Sequence, residues 1–384
     1  MFTARQASFC NGVHGIDSSA NYTFLFIRYS IFRGNIMRIF GTFFLVIFFT
    51  SGVAYAHGEC CLSRSLCEAT TSNVITATNF GLSLQYEYSN METIREGSHS
   101  RSPNSVLDDV ASTWPKMPKE EKSFSVPTRM IMQKYTLLGT YSATKRFQFM
   151  ATIPYVINDM DMKMVMRSPM GMDMKMKMEM DAVEGFGDMT LMGLYKVYTD
   201  NSDFPTKKLT AGMGLKLPTG KNDEETDSGH LVHAMMQPGT GSWDPIFLMN
   251  YMHTLSPVIL QTNLMYHLTT KGDEGYEFGD KVSLDLVARY PIAGYLNPGL
   301  ELNLFHAGQD KDHDGKYSRP DVSLIDNPDN TGITSVSITP SLQIRIPKTG
   351  GSIDLKFQQP LYQHARGVQQ VVDWRAMASI VWAF

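Results

Sequence analysis

The body of this chain is without cysteine. All four cysteines, Cys10, Cys60, Cys61 and Cys67, lie near the start, so no disulfide framework holds the residues beyond them. Charge is sparse as well: Asp, Glu, Lys and Arg make up 19% of the 384 residues, against about 25% in ordinary domains. The net charge of −4 leaves no basic footprint for nucleic acid. Helical periodicity is missing, since no long stretch repeats apolar residues every three to four positions. Hydrolase, zincin and phosphate-loop motifs are missing too. The faintest catalytic set would be His230 and His233 beside Asp227 and Ser228, and no enzyme is expected.

The apolar run Ile39–Phe49 is too short for a comfortable membrane span. With Arg38 before it and Ala54-Tyr55-Ala56 after it, residues 37–56 read as a secretory signal peptide. Residues 1–36 have no export logic and read as an extension upstream of the true start. Residues 57–78 then form a cysteine-containing periplasmic leader, whose three thiols and His57 are either a soft-metal set or a leader without one.

What the chain has is alternation. In the closing stretch, Trp374, Ala376, Ala378, Ile380, Trp382 and Phe384 share one parity, while Asp373 and Arg375 take the other. A membrane strand needs that division, with aromatics at both interfaces. The terminal Phe also resembles the closing strand of bacterial outer-membrane barrels, whose assembly machinery reads that end. Similar alternation predicts twelve strands: 79–92, 128–142, 146–158, 184–198, 207–219, 238–254, 257–270, 279–291, 295–308, 333–347, 351–363 and 369–384. Short and long connections alternate between them. The fold class expected for 79–384 is therefore all-β: an antiparallel transmembrane β-barrel of about twelve strands, in the bacterial outer membrane, with the long connections outside. Its inward face would carry Lys216, Lys281, Asp285, Arg289, Glu301, Arg345, Asp354, Lys356, Asp373 and Arg375. Mixed charges of this kind serve either a conduction path or an internal salt-bridge plug.

Two further stretches carry a family resemblance. Gly185-Phe-Gly-Asp-Met-Thr-Leu-Met-Gly-Leu-Tyr195 opens a strand with a Gly-x-Gly-Asp turn, and Gln237-Pro-Gly-Thr-Gly-Ser-Trp-Asp244 precedes another strand. With the signal peptide and terminal Phe, the chain resembles the outer-membrane transporter family of the MetA pathway of phenol degradation. The resemblance implies a barrel and an outer-membrane location, and a link to aromatic compounds.

One segment stands outside that pattern. In residues 159–183, expected to form an extracellular hairpin, Met160, Met162, Met164, Met166, Met170, Met172, Met174, Met176, Met178 and Met180 all occupy even positions. Ser168-Pro169-Met170-Gly171 is a turn, giving one thioether face and one charged face. Thioethers favour Cu(I), so this hairpin is a candidate copper or silver site; the alternative is an apolar face extending the wall. His230 and His233 in one outer loop, and His313 in another, are further candidate ligands. Asp310, Asp312, Asp314 and Asp321, with Gly315, fit the spacing of a calcium loop, although a solvated acidic loop reads the same way. The expected function is a channel or transporter for small solutes. The alternatives are copper or silver handling and a non-conducting structural barrel. The expected partners are outer-membrane lipid, the barrel assembly machinery, and a small solute or metal ion.

Overall fold

The computed structural model describes residues 80–201, 205–226, 229–292, 294–347 and 350–384. The expected extension, signal peptide and cysteine leader lie outside these residues. Alternation builds twelve wall strands: β1 (Phe80–Met91), β2 (Lys122–Ser142), β3 (Phe147–Arg167), β4 (Thr190–Thr199), β5 (Lys207–Lys216), β6 (Asp244–Leu255), β7 (Val258–His267), β8 (Lys281–Arg289), β9 (Leu296–Ala307), β10 (Ile333–Ile346), β11 (Gly351–Val371) and β12 (Trp374–Ala383). Each pairs antiparallel with its neighbours in the chain. β1 also pairs with β12, Gly81 opposing Ala383 and Asn90 opposing Trp374. The wall is thus a closed twelve-stranded barrel without a free edge. Closure satisfies the backbone polar groups that lipid cannot.

The outward face is apolar. Leu84, Leu137, Phe149, Leu191, Met213, Phe247, Leu286 and Phe357 are all exposed. Aromatic residues gather at both ends of this belt. Phe80 packs on Tyr141 at 4.8 Å near the chain termini, and Tyr88 stacks on Trp374 at 5.3 Å toward the opposite rim. An apolar band between aromatic girdles on a closed barrel is the form of an outer-membrane protein. The parity expected for the last strand holds, since Trp382 and Phe384 face out while Arg375 and Ser379 are buried inside.

The wall differs from the sequence expectation mainly on the long-connection side. β2 and β3 begin and end further out than expected, because their ladder continues from Ser142↔Gln148 to Lys122↔Arg167. The expected strand 184–198 is broken: Val183–Phe186 pairs with β3, and β4 starts only at Thr190. The stretch 93–127 is no plain loop. Thr93–Gly97 pairs with the end of β11, and α1 (Pro103–Thr113) follows, capped by the Ser102 side chain accepting from Ser105 N. Val106, Leu107 and Ala111 of α1 bury against Ile94, Phe124, Val126, Val165 and Leu324. Helix formation here is local, through a cap and an N-terminal proline, over too few turns to show as a long periodic run. The loops 217–243, 268–280 and 308–332 also fold together, with Ala234, Tyr276 and Tyr317 in one small core.

Candidate functional site in the barrel interior

The interior has two unlike halves. On β2 to β7 the inward residues Leu138, Met150, Met192, Leu194, Ile246, Leu248 and Met265 form a buried apolar cluster. The inward charges expected from the sequence do not extend over this half. The reason lies across β4 and β5. A side chain at Gly214 would stand 2.2 Å from Met192 Cγ, and one at Gly212 would stand 2.5 Å from Leu194 Cδ2. Absent side chains on β5 make the room into which those of β4 lean. The sequence signal was apolar residues at both parities in 190–194, opposite a glycine-rich strand.

The other half is polar and internally paired. Asn303 donates to Asp285 at 2.7 Å and accepts from Thr339 Oγ1 at 2.6 Å. Lys356 Nζ lies 3.0 Å from Glu301, and Arg289 approaches Glu301 at 3.9 Å and Asp354 at 4.0 Å. Arg375 meets Glu87 at 2.9 Å and donates to Ser89 at 2.8 Å. Asp285, Arg289, Glu301, Asp354, Lys356 and Arg375 are buried, so the inward assignment is right and the charges neutralise one another. Buried charge is tolerated only when so paired.

Between these halves and the outer loops lies a cavity of about 290 Å³. Apolar groups line part of it: Met132, Val156, Phe278, Phe305 and Ile333. Its polar corner is centred on Lys216, which lies 2.6 Å from Asp244 and 3.1 Å from Asp188 and donates to Ser242 at 3.0 Å. His267 Nε2 sits 3.1 Å from the same Asp244 oxygen. The two short family-like motifs meet at this point. Asp188, from the first, accepts from the backbone N of Thr240, in the second, at 2.9 Å, and from Gly220 N at 2.9 Å. Asp244 accepts from Thr270 N at 2.9 Å. Four carboxylate oxygens thereby fasten three outer segments to one lysine. Sequence reasoning singled out Lys216 only as an inward charge and missed Asp188, Asp244 and His267 as its partners.

The Met-rich segment forms the expected hairpin. Asp173–Glu179 pairs with β3 so that Met162↔Met178, Met164↔Met176 and Met166↔Met174 are directly opposed. Gly171 closes the turn at φ +79, donating to Ser168 O at 2.8 Å. Met170, Met172, Met174 and Met176 are exposed, but Met160 and Met162 are buried, so the hairpin runs from solvent into the barrel mouth.

The other candidate ligands are not brought together. His230 is exposed; His233 is buried, with Nδ1 3.9 Å from Asp326. His313 binds Glu277 at 2.9 Å in another loop. Three of the four aspartates of the calcium spacing take partners within the outer loops. Asp310 is buried, its carboxyl pushed up by burial, and accepts from Gly279 N at 2.7 Å and Tyr276 OH at 2.9 Å. Asp312 accepts from three backbone N–H groups of its own turn, including Tyr317 N at 2.8 Å. Asp314 pairs with Lys271 at 2.7 Å, and Asp321 is exposed. Among the described residues no group of three or more His, Cys, Asp or Glu is placed to hold a metal. The loop folds with its carboxylates on local donors, which spacing alone does not reveal.

Several solved outer-membrane barrels are similar to this one. The COG4313 outer membrane channel from Pseudomonas putida F1 aligns with a TM-score of 0.48 and 14% identity, over 80% of this chain and 96% of that one. The CymD monoaromatic hydrocarbon channel aligns at 0.41 and 9%, over 87% and 94%. The Pseudomonas putida toluene transporter TodX aligns at 0.40 and 9%, over 86% and 95%. No curated protein matches the sequence. A family model matches residues 130–368, more than half of the chain, and includes both motifs that converge on Lys216. The chain belongs to the family described as "Putative MetA-pathway of phenol degradation".

Proposed function

We propose that this barrel is an outer-membrane channel for small solutes that are mostly apolar and carry a polar group. The observation that supports it is the cavity of about 290 Å³, with an apolar wall on one side and the Lys216, Asp244 and His267 corner on the other. That volume lies at the small end of ligand pockets and suits a single ring. Phenol, an aromatic ring with one hydroxyl, matches the division, and the family's description names it. Below the cavity the same division continues into an apolar half-wall facing a paired polar half-wall. The further partners in this reading are lipid around the outer belt and the assembly machinery at Phe384.

The test is solute uptake by proteoliposomes holding the purified full-length barrel, with planar-bilayer conductance alongside. Phenol is expected to enter faster than a sugar such as arabinose. Uptake and conductance no greater than in empty membranes would sink the channel reading and leave a structural barrel.

A further inference from the structure

The hairpin methionines continue into a second set that the sequence did not connect to them. Met91 on β1 opposes Met130 on β2, and Met130 opposes Met160 on β3. Met180 N donates to Met160 O at 3.2 Å, which adds a fourth methionine to the row. Met236 enters from the outer loop 217–243 and packs on the same row; Asn158 holds its carbonyl at 3.0 Å. Met91, Met130, Met160 and Met236 are all 2% exposed or less.

Directly opposed residues on neighbouring strands have Cβ atoms about 5 Å apart, and methionine has flexible side-chain torsions. Two or three neighbouring sulfurs of the row, joined by Met236, can therefore converge on one point, whereas the two ends of the row, three strands apart, are too far from each other to share one. Val183, Val232, Ile325 and Val372 pack around them, so thioethers are the donors this cluster offers. The cluster is richer in methionine than the one beneath α1, which has Ile94, Leu107, Val126 and Val165 and no methionine, and than the half-wall in which Met150, Met192 and Met265 mix with leucine and isoleucine.

We infer that the row Met91, Met130, Met160 and Met180, closed from outside by Met236, is a binding site for a soft monovalent ion, Cu(I) or Ag(I). Neutral thioethers compete well for such ions and poorly for zinc or calcium. The opposed pairs Met166↔Met174, Met164↔Met176 and Met162↔Met178 form a file of sulfurs from the exposed turn to this row. That file is the path by which the ion reaches the site. The inference does not depend on which solute the channel passes.

Silver nitrate in chloride-free buffer is the probe, titrated calorimetrically into the full-length barrel in detergent, with zinc nitrate as the comparison. The native protein is expected to bind silver and not zinc. A buried-set variant carries M91L, M130L, M160L and M236L, near volume-conserving changes that keep the core filled. Its silver affinity is expected to fall roughly tenfold or more, since even outer-shell changes cost a metal site that much. A tip-set variant, M170L, M172L and M174L, should keep the tight site. Equal affinity in the buried-set variant, or no silver binding by the native protein, overturns the inference. If the buried-set variant fails to show the heat-modifiable mobility of a folded barrel, X-ray absorption on the silver-loaded native protein decides. A sulfur-only shell supports the site, and a nitrogen or oxygen shell overturns it. Phenol uptake that persists while silver binding fails would leave the channel reading standing alone.

Discussion

Asp188 accepts a hydrogen bond from the backbone N of Thr240 at 2.9 Å, and with it the turn before β4 is locked to the turn before β6. Both turns are glycine-rich, and close approach explains why. A side chain at Gly187 would stand 3.0 Å from Pro238 O, and one at Gly185 would stand 3.2 Å from Pro238 Cγ. The stacked turns deliver two carboxylates, Asp188 and Asp244, to Lys216.

Lys216→Gln tests that arrangement. Lys216 and both its acid side chains are buried, so removing the cation leaves two buried carboxylates with only amide, hydroxyl and imidazole partners. Breaking such a buried set costs about 3–5 kcal/mol. The expected result is a clear fall in the temperature at which the barrel loses its folded gel mobility. An unchanged transition would show that the pairing does not hold these loops.

The outer loops should respond to pH through Asp326. Its carboxylate accepts from Arg319 at 2.8 Å, and His233 Nδ1 lies 3.9 Å away. Burial pushes its pKa up to about 6, although Arg319 pulls the other way. The folded pKa exceeds the unfolded value of about 3.9, so the closed loops bind the proton more tightly than the open ones. Their stability is greatest in acid and falls as pH rises from about 4 through about 6, by on the order of 3 kcal/mol. Amide exchange in residues 229–233 and 319–326, corrected for intrinsic rates, is expected to be slower at about pH 5 than at about pH 7.5. Asp326→Asn should remove that difference. A pH dependence that survives in the variant would show that Asp326 does not set it.

Trypsin applied to intact cells should cut at Lys116, Lys119 or Lys122, which are exposed after α1, and should spare Lys207 on the opposite rim. Sheltering of the first three together with cleavage at Lys207 would invert the orientation.

Phe384 N donates to Phe80 O at 2.9 Å where the barrel closes, and the residue is 70% exposed beside the apolar belt. Phe384→Asp would place a charge in the lipid interface. We expect it to lower the amount of folded outer-membrane protein sharply, read as heat-modifiable mobility. Normal amounts would mean that the carboxyl end is not read during insertion.

Alternation by itself determined most of the wall. The strand period is two, so Val282, Leu284 and Leu286 against Lys281, Ser283 and Asp285 specify a strand, its two faces and its place in a membrane. The even spacing of the methionines likewise determined a thioether face, and the register of the hairpin followed from its turn. Tertiary structure decided everything that depends on which strand lies beside which. Met91 is far from Met160 in sequence, and only the ladder β1–β2–β3 sets them in one row. Asp188, Lys216 and Asp244 meet because β4, β5 and β6 are neighbours, with Thr190 and Asp244 both opposed to Lys216. The partners of Asp310, first residue of the calcium spacing, depend on the same thing. A carboxylate takes whichever donor the fold brings nearest, and for Asp310 those donors, Gly279 and Tyr276, come from another loop.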